Sequence, residues 1–328
     1  MPSEPRLLLA CVGENRERWF QKIRNLVVSV RLFGEGSSDI PVVTCFVGGV
    51  EGDFARELER QDAEVRVVEP VDARAPSANK LRMLELVESH EFDVLLMLDC
   101  DVIVRGDLAP AVSTSRLRVA PAIGNPYSPT LWRTIYEGFG LPEPTERVVM
   151  TMTGERTHPY YNSGVMFVPR DLCLPLKAEW DAARNQWFDF IESRAEMFRS
   201  KHGDRDTVRQ DQPPLACALA RAGIEVDPLP INLNLRTFGP GFARAYRHQW
   251  GPPFIFHYHD RMDADGFLRQ SPRRRVAPYL DDFNRRRAKE LGLGAPPPLK
   301  PPELTTTLRS VWRNARKRAR FRTSIRRS

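Results

Sequence analysis

No run of apolar residues in this chain approaches the length of a membrane span. The longest, such as Val94 to Leu98, are a handful of residues, whereas a bilayer crossing needs about 20. The opening residues, Met1-Pro2-Ser3-Glu4-Pro5-Arg6, lack the basic start and small-residue cleavage site of a signal peptide, so export is not expected. Cysteine is scarce: Cys11, Cys45, Cys100, Cys173 and Cys217 are scattered, odd in number, and form no CxxC pair. That excludes a disulfide framework and a zinc knuckle, and it fits a reducing compartment. Cys11, Cys45 and Cys100 fall inside strand-like apolar runs, where a thiol serves as a small buried hydrophobe. A cytoplasmic location is the expectation. There is no internal repeat, no Ser/His/Asp order and no Cys placed for activation.

The excess of positive charge is also missing from most of the chain. The net charge is +7, but residues 303–328 hold nine Lys or Arg against the single acid Glu303, leaving the remainder at −1. The basicity belongs to a tail, so the overall charge is not the footprint of a nucleic-acid-binding body, and no nucleic-acid partner is expected.

What is present is ordinary for a globular protein: 328 residues, 41% hydrophobic and 28% charged, enough for one large α/β domain with appendages. Residues 6–13 (RLLLACVG) are a continuous apolar run ending in Gly, the pattern of a strand buried on both faces. Trp19, Ile23, Leu26, Val27 and Val30 recur at helical spacing. A strand at 40–49, a helix bearing Phe54 and Leu58, and a strand at 63–70 follow. A helix marked by Leu81, Leu84 and Val87 comes next, then a fourth strand and its exit at 93–104. Strands alternating with helices predict right-handed βαβ units and a mostly parallel sheet, whose ligands bind beyond the carboxyl ends of the strands.

The second half is less regular, with a strand at 160–169, a helix over 176–199, and a helix from Asp211 to Ala222 closed by Gly223. Short apolar pieces follow at 224–235 and 253–258. APPPLKPP (295–302) reads as a stiff linker. The expected organisation is a domain over 1–294, a Pro-rich linker over 295–302 and a basic tail over 303–328. Leu308, Val311, Trp312 and Ala315 in the tail lie near helical spacing among basic residues. One reading is an amphipathic helix on an anionic membrane surface, which would make the protein peripheral there; the other is a solvated terminus.

The chemistry concentrates at Asp99-Cys100-Asp101. Two carboxylates one residue apart at the mouth of an apolar strand offer oxygen ligands to a hard divalent ion, and such an ion can neutralise a departing diphosphate. A strand capped by solvated Asp residues gives the same letters. Here, however, the run before them is strongly hydrophobic and Val102-Ile103-Val104 continues it. Carboxylates that interrupt a buried run are costly unless something binds them.

The segment NKLRMLELVESHEFDVLLMLDCDVIVRGDL resembles the core of GT-A fold glycosyltransferases, closest to glycosyltransferase family 8, the glycogenin and lipopolysaccharide galactosyltransferase group. The resemblance continues through YYNSGVMFV, Asp211-Gln212 and FIFHYHD, in order, over about residues 6–260. It implies a GT-A (Rossmann-like) mixed, mostly parallel sheet flanked by helices. It also implies transfer of a hexose from a nucleotide-sugar, a UDP-sugar by family habit, with retention of configuration. Asp99, Asp101 and His257 would hold Mn²⁺ or Mg²⁺, with His259 close enough to be confused with His257.

Asp99 would also approach the donor ribose. Lys80, Asn162, Ser163 and Gly164 would face the donor, Gly164 by letting the backbone come close. Asp211 and Gln212 would lie beside the anomeric carbon. Each has a plainer reading: a solvated Lys80, an Asn-Ser-Gly turn, Asp211 as a helix N-cap, a hydrogen-bonding His.

Two departures from the family stand out. Asp260 and Asp263 occupy the places of the Gly and Lys after the late His, so Arg261 or Arg269 would have to supply the phosphate-binding cation. Pro213-Pro214 follows Asp211-Gln212, where the family often has another Asp. The acceptor, whether glycan, lipid-linked or protein, is not specified.

Two other classes compete. One is a sugar-phosphate nucleotidyltransferase, disfavoured because Val12-Gly13-Glu14-Asn15 has one Gly and an acid where triphosphate needs a Gly-rich basic loop. The other is a non-catalytic scaffold or lectin-like module of the same fold.

Overall fold

The computed structural model describes residues 4–194, 211–238 and 252–296. The tail and most of the Pro-rich linker lie outside them, as do residues 195–199 of the expected long helix. The chain divides into two compact units, one formed by Met1–Arg236 with Pro240–Asp260, the other by Thr237–Gly239 with Arg261 onward.

The first unit is built on a seven-stranded sheet. Its strands are β1 (Leu7–Glu14), β2 (Val42–Val47), β3 (Ala63–Val68), β4 (Val94–Leu98), β6 (Leu117–Pro121), β9 (Tyr161–Pro169) and β10 (Val226–Pro228). Their order is β10-β6-β9-β4-β1-β2-β3. All run parallel except β9, which lies antiparallel between β4 and β6. The mixed, mostly parallel sheet of the sequence reading is therefore present. β4 is buried at every position and β1 at almost every one, because helices cover both faces.

Side-chain alternation sorts the two faces. Leu7, Leu9, Cys11, Val94, Leu96 and Leu98 join the core under α1 (Glu17–Phe33) and α2 (Gly52–Glu59), where Phe20, Ile23, Val27, Phe54 and Leu58 point inward. Leu8, Ala10, Leu95 and Met97 join the opposite core. There they meet α3 (Leu81–Leu84), α4 (Pro129–Gly138), α5 (Cys173–Ser193) and α6 (Gln212–Ala222). Gly223 ends α6 in the left-handed region at φ 62°, a conformation glycine adopts without a Cβ clash.

Two departures from the sequence reading bear on the site. The expected helix around Leu81 is one α-turn between 3₁₀ turns at Pro76–Lys80 and Glu85–Glu88. The run 93–104 is two strands, because β5 (Val102–Val104) leaves the large sheet and pairs antiparallel with β12 (Ile255–His257). β11 (Leu235–Arg236) runs parallel to β12 on its other side. The Val104 amide donates to Ser29 Oγ at 2.9 Å, which ties this small sheet to α1.

The remaining strands, β7 (Val148–Val149) and β8 (Arg156–Thr157), form a two-stranded ribbon. In the second unit, α7 (Ala277–Glu290) carries Asn284, whose amide bonds both the N–H and the C=O of Leu268. Among the described residues, no helix is long and apolar enough to cross a membrane.

Candidate metal and donor site

The chain turns at Asp99–Asp101 because β4 and β5 belong to different sheets. In the β5–β12 ladder, Val102 faces His257, so strand register alone sets His257 beside Asp101, 156 residues away in sequence. The Tyr258 amide donates to the Asp101 carbonyl at 3.1 Å and locks that register. His257 Nε2 lies 3.1 Å from Asp101 Oδ1 and 4.0 Å from Asp99 Oδ2, with the imidazole 3% exposed.

Asp99 is held by the next strand. β9 carries extra residues opposite β6, since Val119 pairs with Met166 but Ala120 pairs with Asn162. The bulge directs Ser163 and Gly164 toward the end of β4, and the Asp99 amide donates to the Gly164 carbonyl at 2.8 Å. A Cβ added at Gly164 would meet Asp99 Oδ2 and His257 Cε1, each at 2.6 Å. Any side chain there would push on both.

Lys80 gathers the other side. Its Nζ lies 2.7 Å from Asp99 Oδ1 and 3.1 Å from Asp211 Oδ2, and donates to Ser163 Oγ at 3.0 Å. Ser163 Oγ in turn donates to Asp211 Oδ2. Asp211 occupies the N-cap position of α6, yet its side chain makes no cap bond there. Its carboxylate is turned to Lys80 and Ser163 instead, and Trp180 Nε1 donates to its carbonyl at 3.1 Å. Gln212 follows as the first, half-buried residue of α6.

The charges respond to burial and to one another. Burial pushes the Asp99 carboxyl above its ordinary value against the pull of Lys80, and the neighbouring Asp101 adds to the rise. Burial acts on Asp101 in the same sense, but His257 and Lys22 outweigh it and hold that carboxyl well below the usual range. Burial also opposes the Lys80 charge; Asp211 and Asp99 more than offset it, and the ammonium is kept. A buried, anionic Asp101 beside the His257 imidazole, with an Asp99 oxygen 4.0 Å from that ring, is a donor set that suits a hard or borderline divalent ion.

His259 stacks on His257, ring centroids 3.9 Å apart. The ligand atoms of Asp101, His257 and His259 all fall within 4.8 Å of one another. Burial, with His257 and Arg236 nearby, pushes the His259 imidazole down to about 2, so its ring is neutral. Arg236 Nε donates to His259 Nε2 at 2.8 Å, which places the remaining ring proton on Nδ1 and uses the lone pair. His257 therefore has the better-placed nitrogen.

Lys22, on α1, is absent from the sequence reading. Its Nζ pairs with Asp260 Oδ1 at 2.6 Å and lies 3.9 Å from Asp101 Oδ2, while Arg18 also reaches Asp260. The helical spacing around Ile23 was the only signal near it, and that marks the core face rather than a charged group. Asn234, just before β11, is a second residue missed. It bonds both Asn162 and His257. Arg261 and Arg269 both belong to the second unit.

The loop after β1 is not a phosphate cradle. β1 runs through Glu14, which pairs with Arg16, and a Cβ at Gly13 would strike Ile23 Cδ1 at 2.7 Å, so this glycine serves helix packing.

Residues 49–193 match the model of the Rhodobacterales glycosyltransferase domain. No curated protein matches by sequence. Among solved structures, the bifunctional glycosyltransferase WbbM is similar at 12% identity with a TM-score of 0.51, over 87% of this chain and 50% of that one. The galactosyltransferase LgtC, solved with donor and acceptor sugar analogues, gives 16% identity and a TM-score of 0.48 over 89% of this chain and 98% of its own. Mouse xyloside xylosyltransferase 1 gives 13% and 0.44, over 76% and 97%. Residues 49–193 thus match a glycosyltransferase domain, and the chain has the GT-A fold.

Proposed function

We propose that this glycosyltransferase moves a hexose from a nucleotide-sugar, a UDP-sugar, to an acceptor hydroxyl with the help of Mn²⁺ or Mg²⁺, and that it retains configuration at the transferred carbon. One observation carries the reading: at the carboxyl end of β4, Asp99 and Asp101 each bring a carboxylate oxygen within 4.0 Å of the His257 Nε2 that β12 supplies.

Asp99, Asp101 and His257 would hold the ion, which when bound supplies charge neutralisation for the departing nucleoside diphosphate. Lys22 brings positive charge to the flank of Asp101. Lys80 orients the Asp99 and Asp211 carboxylates, and Ser163 fixes the Asp211 rotamer by donating to it. Asp211 and Gln212, at the start of α6, face the anomeric carbon and stabilise its developing positive charge. Asn162, Ser163 and Gly164 shape the donor wall, the glycine by keeping space between Asp99 and His257. Positioning of donor and acceptor supplies much of the remaining acceleration.

The nucleotidyltransferase reading finds no support at Gly13, which packs against α1. A non-catalytic scaffold would have no need of the Lys80–Asp211–Ser163 cluster. The basic tail over 303–328, beyond the globular span 1–294 and the linker 295–302, belongs to the same proposal. It would rest on an anionic membrane surface from the cytoplasmic side, beside a lipid-linked acceptor. Truncation at Pro302 should then abolish binding to anionic vesicles, and unchanged binding removes this part of the reading.

The central test is release of UDP from a panel of UDP-sugars with and without Mn²⁺, with Asp101→Asn as the control. Metal-dependent release that is lost in the variant is the expected result. Absence of both UDP binding and turnover across the panel overturns the donor assignment.

A further inference from the structure

We propose that Asn234 is a positioning residue that sets which nitrogen of His257 carries the proton, through a relay that begins at the backbone of the β9 bulge. The proposal rests on the metal reading above, and it assigns a task to a residue that lies outside the sequence motifs.

The relay is fixed from one end by an unambiguous donor. The Gly164 backbone N–H can only donate, and it points at Asn162 at 3.1 Å, so the Asn162 atom it meets is the amide oxygen. That same oxygen receives the Asn234 side chain at 2.9 Å, so the Asn234 atom in contact is its NH₂ group. The other terminal atom of Asn234 is then a carbonyl oxygen, and it faces His257 Nδ1 at 3.1 Å. Nδ1 must donate. In the neutral ring Nε2 is left with its lone pair, aimed at Asp101 Oδ1 at 3.1 Å.

Asp101 by itself would favour the opposite tautomer, with the proton on Nε2. The relay and the carboxylate make incompatible demands on a neutral imidazole, and both are met when a cation, either a proton or a metal ion, lies at Nε2. In its neutral form the ring is therefore preset as a ligand, with Nε2 as the atom that a metal ion takes from the proton. Asn162 is 8% and His257 2% exposed, so water cannot readily substitute for either partner. The partner of a ligating imidazole ordinarily sets its tautomer and raises its basicity, and loss of that partner typically costs about 10–100-fold in metal affinity.

The test uses full-length protein labelled with ¹⁵N-histidine. Long-range ¹⁵N–¹H correlations of the neutral His257 ring are recorded without metal, and Mn²⁺ affinity is measured separately. The parent should show the proton on Nδ1. Asn234→Leu should move it to Nε2 and weaken Mn²⁺ binding by about 10–100-fold. Asn234→Asp, which keeps an acceptor for Nδ1–H, should keep the Nδ1 proton.

A parent ring protonated on Nε2 overturns the relay, and this readout needs no variant to fold. A folded Asn234→Leu protein with unchanged tautomer and unchanged Mn²⁺ affinity also overturns it. A parent that shows the Nδ1 proton but binds neither Mn²⁺ nor Mg²⁺ refutes the metal reading while leaving the relay standing.

Discussion

Gly164→Ala should impair catalysis far more than it impairs stability. The added methyl carbon would lie 2.6 Å from both Asp99 Oδ2 and His257 Cε1, and 3.0 Å from Asn162 Oδ1. Non-bonded carbon contacts settle at about 3.5–4.0 Å, so roughly 1 Å of movement has to be found among these groups. Overpacking on that scale costs about 1–3 kcal/mol, which in a chain of this size lowers Tm by only a few degrees. The groups that must yield are two of the proposed metal ligands and one donor-facing amide. A misplacement of about 1 Å at such groups costs on the order of 100-fold in rate.

The expected profile is a Tm slightly lower, Mn²⁺ affinity reduced and UDP release from a UDP-sugar down by about two orders of magnitude. Circular dichroism, isothermal titration and the release assay measure the three quantities. Unchanged turnover with unchanged Mn²⁺ affinity would refute the reasoning, because it would mean the backbone at 164 does not press on the site.

Lys80→Met should lower kcat by about 100-fold or more, since it strips Asp99 and Asp211 of their shared cation, and Lys80→Arg should fail to restore it; full activity in either variant would contradict the assigned role. Arg74, and then Arg184, hold the Asp72 carboxyl well below its usual range, so this group adds stability above the ordinary carboxylate value of about 3.9 and loses it as pH falls further. Asp72→Asn should therefore lower Tm at neutral pH, with the gap to the parent closing in acid; a gap that widens in acid would refute the sign. All five cysteines are buried, and burial pushes the thiols of Cys45, Cys173 and Cys217 up to about 12. A thiol reagent at about pH 8 should label none of the five in the native protein and all five after unfolding, and prompt labelling of any would contradict the burial.

The parts of the fold that were legible in the sequence are those written in local pattern. The unbroken apolar runs at 6–13 and 93–98 became two largely buried strands of the sheet, and the spacing of Ile23, Val27 and Val30 marks the face of α1 that packs on it. The helix at 212–222 was readable from its apolar content and the Gly223 stop. Asp99-Cys100-Asp101 was visible because carboxylates interrupted such a run.

Pairing across distance was not legible. Nothing in Val102-Ile103-Val104 announces a partner at 255–257, and it is that register that brings Asp101 to His257. The β9 bulge is equally silent, since its letters, Asn-Ser-Gly, also describe a common turn. Lys22 and Asn234 carry no motif, and each became recognisable only through the atoms it touches. The short strand at 117–121 and helix α4 fell in a stretch whose apolar residues follow neither period for long enough to be read.

The pairing of β5 with β12 also governs how the molecule comes together in time. Residues 101 and 257 stand 156 positions apart and meet only after that loop has closed, and the strands that clasp them are three residues each. Closure of so long a loop is entropically late, so the ligand cluster should be among the last features to form during refolding. Ion binding would then act as a clasp on the completed chain, drawing the equilibrium away from any state in which β12 has come loose. Recovery of Mn²⁺ binding during refolding would report the arrival of β12, well after the large sheet has acquired its strands.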